Sequence, residues 1–456
     1  MTRSTDTGRT ARRPAEVVLR GIDAGPRSFF YWRVLSDRQR PEPFVIESAA
    51  LTAGTGLLDR ALPERLESES GAESVWRALS GDLTNAKREE ELSTELARLI
   101  FGDRLSKFRD ALDPLSGRDG QPILRVHPSP RTARIPWELL VMGSDKRRLL
   151  ELADIRYEAP VTVRADRDRR LRAFGRRIEW ADANDRPVLY VLDPQQHDRL
   201  QVLPRIGSSP LLKRRLEEQG RNHRALGWDR SGGVLDGDRA AINTMQRPVD
   251  RAALGEALRS RCPSRFLYVG HVGAARTDSN RPELAALQLS GRPLTALDLL
   301  VGTTLEACDD PTGIPGAPGH VIWPMPPRVA LIGCDSGSDH RFIEPFGLAV
   351  AAVNNGADLV TATRWTMPTD GAFRKIRPTG HNQEVGPIET LIVAVDRAHD
   401  AEDPFAALQQ WQRERLSAWT KDGQVVNSPL FWAALVTYDA AETAPQDLLS
   451  ADQIPS

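Results

Sequence analysis

The chain has 456 residues, enough for two or three domains, with 40% hydrophobic and 27% charged residues, the balance of an ordinary water-soluble globular protein. Its 61 basic and 62 acidic residues leave a formal charge of −1, so no overall field draws it to nucleic acid or to a membrane surface. Three cysteines, Cys262, Cys308 and Cys334, cannot all pair with one another, which excludes a disulfide-built scaffold and fits a reducing, cytoplasmic setting.

Residues 1–14 read as a loose basic arm, with Arg3, Arg9, Arg12 and Arg13 among Ser, Thr and Gly and none of the apolar core of a signal peptide. No stretch reaches the roughly 18 apolar residues of a membrane span. Residues 15–110 form a smaller N-terminal α+β region. Its short strands, Val17-Val18-Leu19, Phe29 to Leu35 and Phe44-Val45-Ile46, are punctuated by Gly21, Gly25-Pro26 and Pro41. Leu92, Leu96, Leu99 and Ile100 then recur at helical spacing, continued by Leu105, Phe108 and Leu112 after Gly102. Next come a strand at Pro122 to Val126 and Ile135-Pro136-Trp137-Glu138-Leu139-Leu140, where proline opens a short helix. The arginine-rich segment 164–177 reads as a solvated helix or linker and marks a soft boundary; a polyanion site is the other reading of its charge.

Beyond it, strand and helix alternate. Strands are predicted at Val188 to Leu192, Phe266 to Val269, Val329 to Ile332, Leu359 to Thr363 and Phe431 to Val436. Helices are predicted after Ser209-Pro210, after Asp250, from Glu344 to Asn355, around Ile388 to Val395 and after Asp403-Pro404. That alternation argues for a mainly parallel, doubly wound α/β sheet. Two of the strands run through glycine into a reactive side chain, Gly270 into His271 and Gly333 into Cys334. In a parallel sheet both would open onto one rim, where α/β proteins place their sites. A thiol beside an imidazole is a nucleophile with its own proton carrier. His320 and His340 are alternative bases, and Cys334, Asp339 and His340 are the only grouping that suggests a metal. Neither zinc-type spacing, a phosphate loop nor a dinucleotide fingerprint is present, so no metal or cofactor is expected.

His271 with its strand, Cys334-Asp335-Ser336-Gly337, the stretch Gly356-Ala357-Asp358-Leu359-Val360-Thr361-Ala362-Thr363-Arg364-Trp365, and Ser428-Pro429-Leu430-Phe431-Trp432-Ala433 follow one another downstream of the Ile135–Leu140 motif. In that order they resemble the CHAT family, caspase-like domains related to separase, gingipain and clostripain. The resemblance covers residues 111–440, leaving 441–456 as a tail. It implies a caspase-like α/β/α sandwich with a mainly parallel sheet, in which neighbouring strands deliver His271 as general base and Cys334 as nucleophile. Backbone N–H groups of Cys334 and of the turn after the histidine, at Val272 or Gly273, would hold the oxyanion. The family has glycine where Val272 stands, so a reshaped turn is expected. Asp335 and Asp370 fall near the implied substrate pocket, where a carboxylate would prefer arginine or lysine before the scissile bond. Residues 305–328 and 371–387 are its expected rims. The function implied is a cysteine endopeptidase, an effector of a bacterial defence or programmed-death system that cleaves a partner protein under a separate sensor or activator. The alternative is a scaffold without turnover that docks a partner through the strands of residues 16–52.

Overall fold

The computed structural model describes residues 14–35, 41–66, 69–113, 121–174, 178–195, 201–205, 208–243, 245–273, 281–303, 316–333, 347–377 and 385–441, without the side chains of 172–174 and 241–243. Uninterrupted apolar runs such as Val188 to Leu192 need cover on both faces, and parallel strands between helices supply it. Twelve strands form one sheet: β1 (Glu16–Ala24), β2 (Arg27–Val34), β3 (Glu42–Glu47), β4 (Ile123–His127), β5 (Asp154–Glu158), β6 (Val188–Leu192), β7 (Ala225–Trp228), β8 (Val234–Asp236), β9 (Arg265–Val269) and, beyond a smaller sheet, β13 (Arg328–Ile332), β14 (Leu359–Thr363) and β15 (Leu435–Asp439). The smaller sheet is β10 (Val272–Gly273), β11 (Ala286–Leu287) and β12 (Leu294–Thr295), paired antiparallel in that order.

The large sheet runs β3-β2-β1-β4-β5-β15-β14-β13-β9-β6-β7-β8. β14, β13, β9, β6 and β7 are parallel neighbours. β15 is antiparallel to β14 and leads a second parallel group with β5, β4 and β1. Every residue of β6, β9, β13, β14 and β15 is buried, so alternate side chains are covered on both faces by flanking helices. The α/β sandwich with a mainly parallel sheet, expected from the alternation of elements, is the architecture observed.

The N-terminal strands do not stand apart. β1 pairs in parallel with β4, so the sheet runs straight through the boundary expected near residue 110. Phe30 stacks on Phe44, and Trp32 and Phe44 pack against Phe108 and Phe101, which are themselves stacked 4.5 Å apart. Those last two lie on the helices Ala86–Phe101 and Leu105–Leu112, which part at Gly102 as the spacing predicts. The opposite face of the hairpin leaves Ile22, Phe29 and Val45 exposed in one cross-strand row.

The arginine-rich segment differs from its reading as a solvated helix or linker. Val161–Phe174 is a helix tied to the sheet by Arg167, which is fully buried and donates to the carbonyls of Ala357 at 2.7 Å and Ala440 at 2.6 Å. Arg170 donates to the Asn354 carbonyl. These guanidinium groups satisfy carbonyls beyond the ends of strands and helices, so their charge was a poor guide to exposure.

Two ionic clusters knit the two halves. Trp137–Leu139 is a short 3-10 turn whose Glu138 is buried against Arg364, which follows β14. Arg364 donates to Glu138 at 2.9 Å, to Tyr157 Oη at 3.0 Å, and to the carbonyls of Ile135 and Leu435. At the far edge Glu158 meets His127, Arg125 and Arg164. Burial opposes its charge, but the His127 hydrogen bond and the surrounding cations hold the carboxyl down to about 2.

Removing one partner of a buried pair strands the other charge. Arg364→Met or Glu138→Gln should therefore each lower unfolding free energy by about 3–5 kcal/mol, and the double replacement by much less than the sum, read from urea midpoints. Glu158 is depressed in the folded state, so its contribution is complete above the unfolded value near 4.5 and is lost as pH falls towards about 2. Glu158→Gln should flatten the acid loss of stability across that window, removing a contribution on the order of 3 kcal/mol.

Candidate active site

β9 and β13 run side by side in register from Arg265↔Arg328 to Val269↔Ile332, which sets Gly270 opposite Gly333. The Gly270 N–H donates to the Ile332 carbonyl at 3.1 Å. A Cβ placed on Gly333 would lie 2.7 Å from the Gly270 carbonyl oxygen and 2.5 Å from Val272 Cγ2. The residue before Cys334 therefore touches residues on both sides of His271, and only glycine permits that approach. Thr363, at the end of β14, donates its hydroxyl to the Gly333 carbonyl and fixes this strand end from the other side. Cys334 and Asp335 lie outside the described residues, as do Asp339 and His340.

His271 is half-buried, and its backbone is clamped. The buried Tyr268 hydroxyl donates to the His271 carbonyl at 2.6 Å, and the Gln288 N–H donates to the same oxygen at 3.0 Å. A Cβ on Gly270 would sit 2.8 Å from that tyrosine oxygen, so this glycine too makes room for a neighbour. Val272 is not in a reshaped turn. It is 6% exposed, opens β10 opposite Leu287, and is absent from the residues at positive φ. A β-branched side chain suits that extended, half-covered position. With the Gln288 N–H on the His271 oxygen, the antiparallel alternation commits the Gly273 N–H to Ala286 and turns the Val272 N–H away from β11.

Asp370, expected near the substrate pocket, has its carboxylate committed within the fold. It is 1% exposed, and its two oxygens accept from the N–H groups of Ile388 at 2.9 Å and Glu389 at 3.1 Å. It thus caps the helix Pro387–Asp400, while burial pushes its carboxyl up. Glu389 repeats the device, accepting from Leu211 and Leu212 at the start of Pro210–Arg221. A guanidinium from a substrate would have to displace these bonds to reach Asp370. His320 is engaged with Arg170. Of the expected rims, 305–315 and 378–384 lie outside the described residues.

Sequence reasoning passed over Tyr268, Thr363 and Asp193. Asp193 carried part of the signal of His271 and Cys334: it follows an apolar strand, Val188 to Leu192, but with no glycine between. Tyr268 and Thr363 carried none, being ordinary strand residues until their neighbours are known.

Among the described residues no group of three or more His, Cys, Asp or Glu could hold a metal ion, and no helix is long and apolar enough to cross a membrane. No family model matches the sequence, and no curated protein matches it. Among solved structures, the chain is similar to two crystal structures of the Saccharomyces cerevisiae separase–securin complex, at 3.0 Å and 2.6 Å resolution. Each match has 10% sequence identity and a TM-score of 0.46, covering 93% of this chain and 30% of the matched one. The chain thus spans less than a third of the length of those matched chains.

Gly333→Ala would drive a methyl group into the Gly270 carbonyl and Val272. It should cost about 1–3 kcal/mol, read from urea unfolding, and should part the two strand ends at the same time.

Proposed function

We propose that the chain is a caspase-like cysteine endopeptidase in which Cys334 attacks the scissile carbonyl and His271 takes its proton and later returns it to the leaving amine. One observation carries the reading: Gly333, the residue before the thiol, is packed between Gly270 and Val272, the residues that flank the imidazole. Consecutive α-carbons are about 3.8 Å apart, so a residue one step beyond Gly333 starts beside the strand end that runs into His271. The CHAT-like motifs point the same way. Glu138 and Arg364, drawn from two of them, are bonded partners in the fold.

The thiol gives up its proton to the imidazole, the thiolate adds to the carbonyl carbon, and the tetrahedral oxyanion needs donors. The Val272 N–H, turned away from the β11 ladder, and the N–H of Cys334 are the donors of this reading. Collapse expels the amine, protonated by His271, and water then releases the acyl group. Preference for a basic residue before the scissile bond rests on Asp335, because the oxygens of Asp370 are committed to a helix. The family context makes the substrate a partner protein, cut when a separate sensor or activator signals in a defence or programmed-death system.

For a scaffold without turnover, a valine after the histidine would be a supporting feature, and that support weakens because valine fits β10. What favours a docking role is the exposed row Ile22, Phe29 and Val45 on β1 to β3, and such a role is compatible with an active enzyme.

An acyloxymethyl ketone probe with arginine as its recognition residue should label the intact chain at Cys334. Cys334→Ala should abolish labelling, and His271→Ala should slow it by roughly 100-fold or more. Labelling that survives both changes would sink the peptidase. Equal labelling by a probe with an acidic recognition residue would remove only the basic preference.

A further inference from the structure

β9 has a second parallel neighbour, β6, whose strand end approaches His271 from the side opposite β13. The pairing runs from Val188↔Arg265 to Leu192↔Val269. The next amide, that of Asp193, donates to the Val269 carbonyl at 2.5 Å. Asp193 is thus level with the start of the Gly270-His271 segment, and Pro194 Cδ lies 3.2 Å from where a Gly270 Cβ would be. The sheet edge therefore carries three successive strand ends, β13, β9 and β6, that run into Cys334, His271 and Asp193.

Asp193 is held at a cost. Its φ is +51°, in the left-handed region that disfavours most side chains, and it is only 5% exposed. The carboxylate does not turn outward to water. Its Oδ2 accepts from the Leu203 N–H at 3.1 Å and from Gln246 Nε2 at 3.5 Å. Gln246 also has positive φ, +56°, and is pinned by its own N–H to the Leu192 carbonyl and by Nε2 to the Leu203 carbonyl. Two separate segments thus converge to hold one buried acid at the strand end next to the histidine. Burial pushes this carboxyl up, and positive charge on His271 is among the influences that draw it back. Among the described residues, the hydrogen bonds to this enclosed carboxylate come from Leu203 and Gln246 and none from an arginine or lysine.

We propose that Asp193 is the positioning residue of the His271 imidazole, a fixed carboxylate on the neighbouring strand that orients the ring and offsets the positive charge it gains on taking the thiol proton. The proposal deepens the peptidase reading and rests on it. Asp193 does not touch the substrate in this account; it sets the ring's orientation and tautomer for the transfer between sulfur and nitrogen.

The test uses the full chain with 15N-labelled histidine. The His271 ring-nitrogen signals are assigned by their loss in His271→Ala, and the alkylation rate of Cys334 by iodoacetamide is followed by peptide mass spectrometry. Asp193→Asn keeps the shape and tolerates the left-handed backbone, while Asp193→Gly removes the carboxylate and relieves the strain, which secures a folded variant. Both should shift the ring-nitrogen signals and slow alkylation of Cys334 about tenfold or more. Ring signals unchanged from the wild type in both variants overturn the proposal, whatever the alkylation rate does. Ring signals that shift, with Cys334 alkylation unaffected by His271→Ala, leave Asp193 as the ring's partner and remove the peptidase reading instead.

Discussion

Arg364 is the point on which the two halves of the molecule close. It follows the last residue of β14, and its one guanidinium reaches the Ile135 carbonyl, the Glu138 carboxylate, the Tyr157 hydroxyl and the Leu435 carbonyl. Burial works against its charge, and the Glu138 carboxylate outweighs that, holding its proton more tightly than in water. A lysine offers a compact point charge and could not span these acceptors; the planar fork of arginine can. The residue next to it, Trp365, donates its indole N–H to Leu430, and Ser428 donates its hydroxyl to Leu83. Motifs far apart in the chain are thereby one packed unit around the end of β14. That end matters chemically because Thr363, one residue before Arg364, holds the carbonyl of Gly333.

From there the constraint passes along the sheet edge. Strand ends that must approach closely cannot carry side chains at the point of contact, and Gly270 and Gly333 are where the side chains are missing. The reactive residues come directly after, so the backbone is pinned where it enters the site. The Tyr268 hydroxyl and the small β10 to β12 sheet then fix the histidine's own carbonyl. This is preorganisation by main chain, the arrangement that the proposed peptidase would use.

The buried acids divide by what they satisfy. Asp370 and Glu389 answer the unpaired N–H groups at the starts of two helices, where a carboxylate also meets the positive end of the helix dipole. Their burial is explained by helix ends, and no ligand is needed to account for it. Asp193 caps no helix among the described residues. It accepts from a loop amide and a glutamine beside the histidine strand, at a backbone angle that few residues other than glycine adopt.

The sequence by itself determined the class of fold, because apolar runs of strand length alternating with amphipathic helical spacing leave a parallel α/β sheet as the way to bury both faces. It also singled out His271 and Gly333-Cys334, since a strand that ends in glycine and a reactive side chain is visible without coordinates. Only the tertiary structure decided which strands are neighbours. Pairing register is a long-range property that local pattern does not encode, so the sequence could not join β1 to β4 or place β6 beside β9. For the same reason it misread Arg167 as solvated and passed over Asp193. A side chain's charge is local, but what that charge meets is settled by partners brought from elsewhere in the chain.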